Sequence, residues 1–158
     1  MNITEHFKLS ELVVTTKKQF ANVPDEKSIK NLHRMCALLE EVRTLVGGKA
    51  IHVYSAYRSY DVNKAVGGKP HSQHLTGCAA DIWVAGVTPA QLIRDIVLRD
   101  LGYDQVILEF DRWVHISVPS VAGFTPRKSK LIIDKTGVRP YIVTNPKQIN
   151  QQSVPGMI

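Results

Sequence analysis

The chain has 158 residues, which is enough for one domain with its own hydrophobic core, so disulfides are not needed for folding. Its 44% apolar and 22% charged content is ordinary for a soluble globular protein. No stretch approaches the run of about 20 apolar residues that a membrane span requires. The net charge of +6 favours anionic partners, but the basic residues are scattered, and no aromatic–basic platform predicts a specific nucleic-acid site.

The first half of the chain predicts an arm, a long helix and a strand. Residues 3–20 form the arm, with a short helix near Ser10. The long helix begins after Pro24-Asp25-Glu26, because apolar residues then recur every three or four positions, and Gly47-Gly48 ends it. The run 50–57 alternates loosely and is rich in strand-forming residues, which predicts the strand.

A long polar loop and three further strands follow. Residues 59–77 form the loop, with one turn of helix at 62–66, and loops of this length in compact domains are usually functional or mobile. The other predicted elements of this region are a strand at 78–84, a helix from Thr88 to about Arg99, and strands at 105–110 and 113–118.

The pattern weakens towards the C-terminus. Short strands are predicted at 130–133 and 141–143, and residues 145–158 have the composition of a flexible tail. We therefore predict a single domain over residues 1–144, with its motifs within 3–120. The expected fold class is α+β, a compact domain in which helices pack on one face of a small antiparallel sheet.

Two histidines and an aspartate have the spacing of a metal site. His74 precedes Asp81 by seven positions, and His115 follows a carboxylate, Glu109, by six. Catalytic zinc takes three protein ligands from His and Asp/Glu and leaves a fourth position open. A carboxylate that does not bind the metal then takes a proton from water. Taken singly, a histidine such as His115 in an apolar strand is more often a hydrogen-bonded core residue than a ligand.

Three short motifs strengthen this interpretation when they are taken together. They are S-A-Y-R-S at 55–59, S-x-H-x-x-G-x-A-x-D at 72–81 and W-x-H-x-S at 113–117. In this order they resemble the zinc D-Ala-D-Ala peptidases, which cleave the peptides of bacterial cell walls and share their fold with the hedgehog signalling domain. The resemblance is closest to the short single-domain forms coded by phages, and it implies that the zinc site lies on the sheet.

The resemblance also implies roles for individual residues. The implied zinc ligands, for one ion per chain, are His74, Asp81 and His115. Some branches of the family carry the catalytic acid three residues before the last histidine, where this chain has Arg112. The spacing of Glu109 matches the hedgehog-like branch instead, so Glu109 is the expected general base.

Four other residues of the motifs have expected roles near the metal. Arg58 is expected to hold the substrate, although it could simply pair with an acid such as Asp61. Ser72 is expected to orient a ligand or contact substrate. Trp113 and Ser117 are assigned to substrate binding or to support of the metal ligands. The alternative for Trp113 is that it only packs in the core, which is the commoner role of a tryptophan.

The connection between the last two central strands tests this scheme. A two-residue turn would place Glu109 and His115 on opposite faces of the sheet, because successive side chains alternate. A three-residue turn, Phe110-Asp111-Arg112, pairs Glu109 with Trp113 and Ile107 with His115. We therefore predict the three-residue turn, which the proposed chemistry requires.

The predicted function is zinc-dependent hydrolysis of peptide bonds in peptidoglycan stem peptides or crosslinks, by a phage endolysin or a virion-associated wall enzyme. Met1–His6 lacks the basic and apolar regions of a secretory signal. We therefore expect synthesis in the host cytoplasm, followed by holin-dependent release or by delivery with the virion. The expected protein is a monomer with weak electrostatic contacts to anionic envelope polymers. The alternative is a non-catalytic zinc-containing virion structural or binding protein of the same fold.

Overall fold

The computed structural model describes residues 1–143. The helices are α1 (Leu9–Leu12), α2 (Glu26–Leu45), α3 (Tyr60–Ala65) and α4 (Pro89–Leu98), with a 3-10 helix at Gln73–Thr76. The strands are β1 (His52–Ser55), β2 (Ala79–Trp83), β3 (Gln105–Glu109), β4 (Trp113–Ser117), β5 (Ser129–Asp134) and β6 (Gly137–Pro140). The predicted tail at 145–158 lies outside the described residues.

The two long helices begin and end where the sequence predicts. The Asp25 side chain caps α2 by accepting a hydrogen bond from the backbone N–H of Ser28 at 2.7 Å. Gly47, at φ +75°, ends that helix in the left-handed region. Thr88 caps α4 in the same way and is followed by proline at the first helical position. Within residues 1–143, none of the helices combines the length and apolar character needed to cross a bilayer.

All six strands belong to one sheet, in the order β1-β2-β4-β3-β5-β6. Neighbouring strands are antiparallel except β3 and β5, which are parallel. The α+β class is confirmed, and the sheet is larger than the small antiparallel one expected. Within residues 1–143 the last strand is Gly137–Pro140 rather than 141–143. The chain reverses earlier because Asp134 accepts a hydrogen bond from the backbone N–H of Thr136, closing a tight turn.

The two faces of the sheet have different surroundings. On one face, residues such as Ile82, Val114 and Ile116 are completely buried in the hydrophobic core, which also contains the apolar sides of α2 and α4. On the other face, β2 and β4 carry Asp81 and His115. The helices therefore pack against the apolar face of the sheet, and the opposite, polar face is available for a functional site.

The predicted loop at 59–77 is partly helical and closely attached to the rest of the domain. Its helical turn is α3, which Ser59 caps, and the 3-10 helix follows at Gln73–Thr76. Gly77 ends this segment at φ +73°, and a Cβ there would lie 2.7 Å from the carbonyl oxygen of Ser28 in α2. Only glycine fits this close approach, so Gly77 fixes the segment against α2.

Candidate metal centre

The register of β2 and β4 brings an aspartate and a histidine together. Asp81 and His115 are directly paired residues on these strands. Asp81 Oδ1 lies 3.0 Å from His115 Nδ1, and Asp81 Oδ2 lies 3.3 Å from His74 Nε2. All three residues are buried. The pairing of β2 with β4 thus makes neighbours of two residues that are 34 positions apart in the sequence.

The third member, His74, is held by the 3-10 helix and by a backbone carbonyl. The Ser72 hydroxyl accepts a hydrogen bond from the backbone N–H of His74 at 3.2 Å, which caps the helix. His74 Nδ1 lies 2.6 Å from the carbonyl oxygen of Ala56, so Nδ1 carries the hydrogen and donates it. The lone pair of Nε2 is therefore free on the side facing Asp81.

These three residues fit a zinc ion by geometry and by chemistry. One possible ligand atom from each lies within 4.8 Å of the others. Burial lowers the pKa of His74, which keeps its imidazole neutral and able to ligate. Burial alone would raise the pKa of Asp81, but the neighbouring His74 and His115 hold it well below its usual range. Two histidines and one aspartate are a donor set typical of catalytic zinc.

Arg58 lies against the carboxylate of this group. Its Nη2 donates to Asp81 Oδ2 at 3.3 Å, its Nε donates to the Ser55 hydroxyl at 3.0 Å, and its Nη1 donates to Asn63 Oδ1 at 3.1 Å. The partner of Arg58 is therefore Asp81 rather than Asp61. Because these bonds fix the guanidinium at three nitrogens, it lies in one orientation beside the metal group.

Glu109 reaches the same face through the turn that the sequence predicts. Glu109 pairs with Trp113 and Ile107 pairs with His115, so the three-residue turn is confirmed. Phe110 lies at φ +52° in this turn, and such left-handed non-glycine residues cluster at functional sites. The Trp113 indole N–H donates to Glu109 Oε2 at 3.0 Å. Burial raises the pKa of Glu109, and the negative charge of Asp81 raises it further.

One cleft of about 910 Å³ brings the predicted site residues together. Its lining includes Arg58, Ser72, His74, Asp81, Glu109, Trp113 and His115. The sequence matches the family model of peptidase M15 over residues 5–117, which is most of the chain and contains all three motifs. The chain belongs to the peptidase M15 family. No curated protein matches it.

Membership of the peptidase M15 family, the zinc D-Ala-D-Ala peptidases, indicates a zinc metallopeptidase. The metal ligands that the resemblance implied are the same three residues that the structure gathers into one buried group. The M15 match ends at Ser117, before β5 and β6. Those two strands nevertheless supply apolar side chains to the cleft wall, among them Leu131, Ile133 and Val138.

Among the predicted site residues, Ser117 alone does not line the cleft. It is completely buried, and its hydroxyl accepts a hydrogen bond from the backbone N–H of Gln105 at 3.1 Å. It lies two residues beyond His115 on β4, on the same face. Its contacts join β4 to the start of β3, so its position suits support of the strand that carries His115.

Sequence reasoning missed a polar network next to the M15 site. Gln73 Nε2 donates to Asp104 Oδ2 at 3.2 Å and to the carbonyl oxygen of Val118 at 3.0 Å. Asp104 is buried and accepts two side-chain hydrogen bonds from Arg127, at 2.7 and 2.9 Å. The network ties the helix carrying His74 to the end of β4. No local pattern marks these residues, because their contacts join distant parts of the chain.

Asn63 and Gly68 were also missed, and they position Arg58. Asn63 accepts from Arg58 and donates through Nδ2 to the carbonyl oxygen of Lys69 at 2.9 Å. A Cβ on Gly68 would lie 2.0 Å from Asn63 Oδ1, so the loop packs directly on this amide. The adjacent glycines in the loop were the available signal, because a glycine often marks a close approach of the backbone.

Proposed function

We propose that this protein hydrolyses peptide bonds in bacterial peptidoglycan, in the stem peptides or their crosslinks. The observation that carries the proposal is the shared cleft of the buried His74–Asp81–His115 group and of Glu109, a carboxylate outside that group. A structural metal needs only its ligands. A neighbouring carboxylate with a raised pKa suits a general base in hydrolysis.

In the proposed mechanism, each residue acts through the geometry described above. His74, Asp81 and His115 would hold a zinc ion, and that ion would supply Lewis-acid chemistry to the scissile carbonyl and to water. Glu109 takes a proton from the attacking water and delivers it to the nitrogen of the departing amine. Trp113 holds Glu109 Oε2 through its indole N–H, so Oε1 carries the proton.

Arg58 is assigned to the substrate in this mechanism. Each of its Nη atoms has a second hydrogen beyond the bonds to Asn63 and Asp81. We propose that those hydrogens are donated in hydrogen bonds to a carboxylate or carbonyl oxygen of the substrate peptide. Lys69 and His71 also line the cleft, and peptidoglycan stem peptides carry free carboxylates, so the basic rim suits this substrate.

The proposed biological setting is that of a phage endolysin or a virion-associated wall enzyme. Its support is the resemblance to short single-domain phage forms and the net charge of +6, which favours contact with anionic envelope polymers. In this setting a monomer is made in the host cytoplasm and meets the wall after holin-dependent release or with the virion. The resemblance to these single-domain phage forms also favours an endopeptidase over a carboxypeptidase.

Digestion of purified Gram-negative peptidoglycan tests the proposal. Zinc-loaded protein, chelator-treated protein and the Glu109→Gln variant are compared, and the fragments are resolved by mass spectrometry. We expect fragments from the zinc-loaded wild type alone, and their masses identify the bond. If the wild type binds one zinc per chain and releases no fragments from any peptidoglycan, the proposal is wrong and the non-catalytic alternative is supported.

A further inference from the structure

Four rings form a row beside the cleft. They are His52, Tyr54, Trp83 and Trp113, and we call them the aromatic strip. His52 stacks on Trp83 with ring centres 4.2 Å apart and planes 17° apart. The ring centre of Tyr54 lies 6.0 Å from that of Trp83 and 5.6 Å from that of Trp113. The strip therefore crosses β1, β2 and β4 without a break.

The strip lies on the face of the sheet that carries the metal group. Trp83 is two residues from Asp81 on β2, and Trp113 is two residues from His115 on β4, so these pairs share a face. On β1, His52 pairs directly with Trp83, and Tyr54, two residues further along, also has its ring beside Trp83. The rings thus form the next row beside the metal ligands.

The rings of the aromatic strip are more exposed than rings that serve only to pack in a core. Tyr54 is 54% exposed and His52 is also exposed, while both tryptophans are half-buried. Cross-strand ring pairs do stabilise a sheet, but an exposed ring keeps much of its surface in water and gains less from burial. A contiguous row of exposed rings beside a cleft is typical of a binding surface.

The strip is continuous with the proposed catalytic residues. Tyr54 and Trp113 line the cleft, and Trp113 donates its indole hydrogen to Glu109. From there the rings lead to β1, the strand at one edge of the sheet. A polymer bound with one part at Glu109 would therefore extend along the rings towards that edge.

We propose that the aromatic strip binds the glycan strand of peptidoglycan, with sugar rings stacked on Tyr54 and Trp83. The inference rests on the proposed function above, because the stem peptide is covalently joined to that glycan and brings it to the cleft. Pyranose rings present flat arrays of C–H groups that pack on aromatic faces, and their hydroxyls suit a neighbouring imidazole such as His52. A single-stranded nucleic acid needs lysine or arginine among the rings, and the strip contains neither.

Binding is measured in the Glu109→Gln background, so that the ligand is not consumed. The probes are glycan strands stripped of their peptides by an amidase, and intact insoluble peptidoglycan. We expect Tyr54→Ala and Trp83→Ala each to weaken binding of the stripped glycan at least about fivefold. The ring-retaining variants Tyr54→Phe and Trp83→Phe are expected to bind within about twofold of the parent.

Matched controls come from exposed aromatic residues outside the strip. Tyr60 is 69% exposed and Phe124 is 66% exposed, and neither belongs to the cleft lining. Tyr60→Ala and Phe124→Ala are expected to leave glycan binding unchanged. Far-ultraviolet circular dichroism confirms that each variant is folded. If the strip variants bind stripped glycan as the controls do, the inference is overturned.

A kinetic comparison separates this inference from the proposed function. In the otherwise wild-type enzyme, Tyr54→Ala and Trp83→Ala should raise KM on polymeric peptidoglycan, and Trp83→Ala, at a residue outside the cleft lining, should leave kcat/KM on a short free stem peptide unchanged. If glycan binding depends on the rings but no peptide is hydrolysed, the proposed peptidase activity is wrong and the assignment of the aromatic strip to glycan binding still holds. Hydrolysis whose KM on the polymer is insensitive to both variants would refute the strip alone. Self-association of the wild type that Tyr54→Ala abolishes would assign the strip to a second copy and overturn the inference.

Discussion

The indole N–H of Trp113 donates to Glu109 Oε2 at 3.0 Å across the β3–β4 pair. The two residues are directly opposite in the register, so the bond depends on the three-residue turn that joins the strands. Such a bond favours the ionised carboxylate, and it partly offsets the burial that raises the pKa of Glu109. Trp113 thus links the aromatic strip to the proposed general base and adjusts its basicity.

Replacing this tryptophan by phenylalanine tests the link. Trp113→Phe keeps a ring in place and removes the hydrogen bond, so the pKa of Glu109 should rise further. The acid limb of the pH–rate profile should then move to higher pH, and kcat/KM at acidic pH should fall about three- to tenfold, with little loss above neutrality. A loss of equal size at every pH would instead indicate that the ring positions substrate.

The polar face of the sheet could be predicted from the sequence because strands have a strict period. That period, together with the three-residue turn that the proposed chemistry requires, places Glu109 and His115 on one face. The contact of Gln73 with Asp104 could not be predicted, since it joins residues 31 positions apart. Gln73 occupies an unspecified position of the motif at 72–81 and Asp104 lies outside every motif, so only the packed fold brings them together.

Asp81 offers a direct test of the metal centre. Asp81→Asn keeps the shape of the side chain and removes its charge, so we expect zinc affinity to fall at least about 100-fold, which exceeds the usual effect of a residue that only orients a ligand. Competition with a fluorescent chelator measures the affinity. Asp61→Asn is the matched control, because Asp61 is exposed and lies outside the metal group. Equal zinc affinity in both variants would exclude Asp81 as a ligand.

Gly77 and Gly67 form a matched pair for the segment that carries His74. Both lie in the left-handed region, at φ +73° and +74°, but only Gly77 has atoms that a Cβ would contact. We expect Gly67→Ala to cost about 1 kcal/mol in the free energy of unfolding and Gly77→Ala to cost about 1–3 kcal/mol more, through its clash with the Ser28 carbonyl.

Urea denaturation of the two glycine variants measures these costs, and zinc titration provides a second readout. Because Gly77 fixes the 3-10 helix against α2, Gly77→Ala should also weaken zinc binding, whereas Gly67→Ala should not. Equal destabilisation by the two alanines would show that the close approach to Ser28 contributes nothing.

The ion pair of Arg127 and Asp104 predicts a specific dependence of stability on pH. Burial alone would raise the pKa of Asp104, but the hydrogen bonds and charge of Arg127 hold it below its usual range. A carboxyl whose pKa is lowered by folding stabilises the protein above its unfolded pKa, about 3.9, and loses this contribution as the pH falls through its folded pKa. Arg127→Gln should therefore destabilise the protein at pH 7 by about 1–3 kcal/mol, since it leaves a buried carboxylate with fewer partners.

The difference in unfolding free energy between wild type and Arg127→Gln should shrink as the pH falls below about 4 and through the lowered folded pKa of Asp104, because only there does the wild-type carboxyl become neutral. Urea denaturation at a series of pH values measures it. Arg139→Gln is a suitable control, since Arg139 pairs with Asp134 at the exposed end of the sheet. Exposed pairs contribute at most about 1 kcal/mol, so the control should change stability little. A constant Arg127→Gln penalty at every pH would show that its side chain acts through packing rather than through the charge of Asp104.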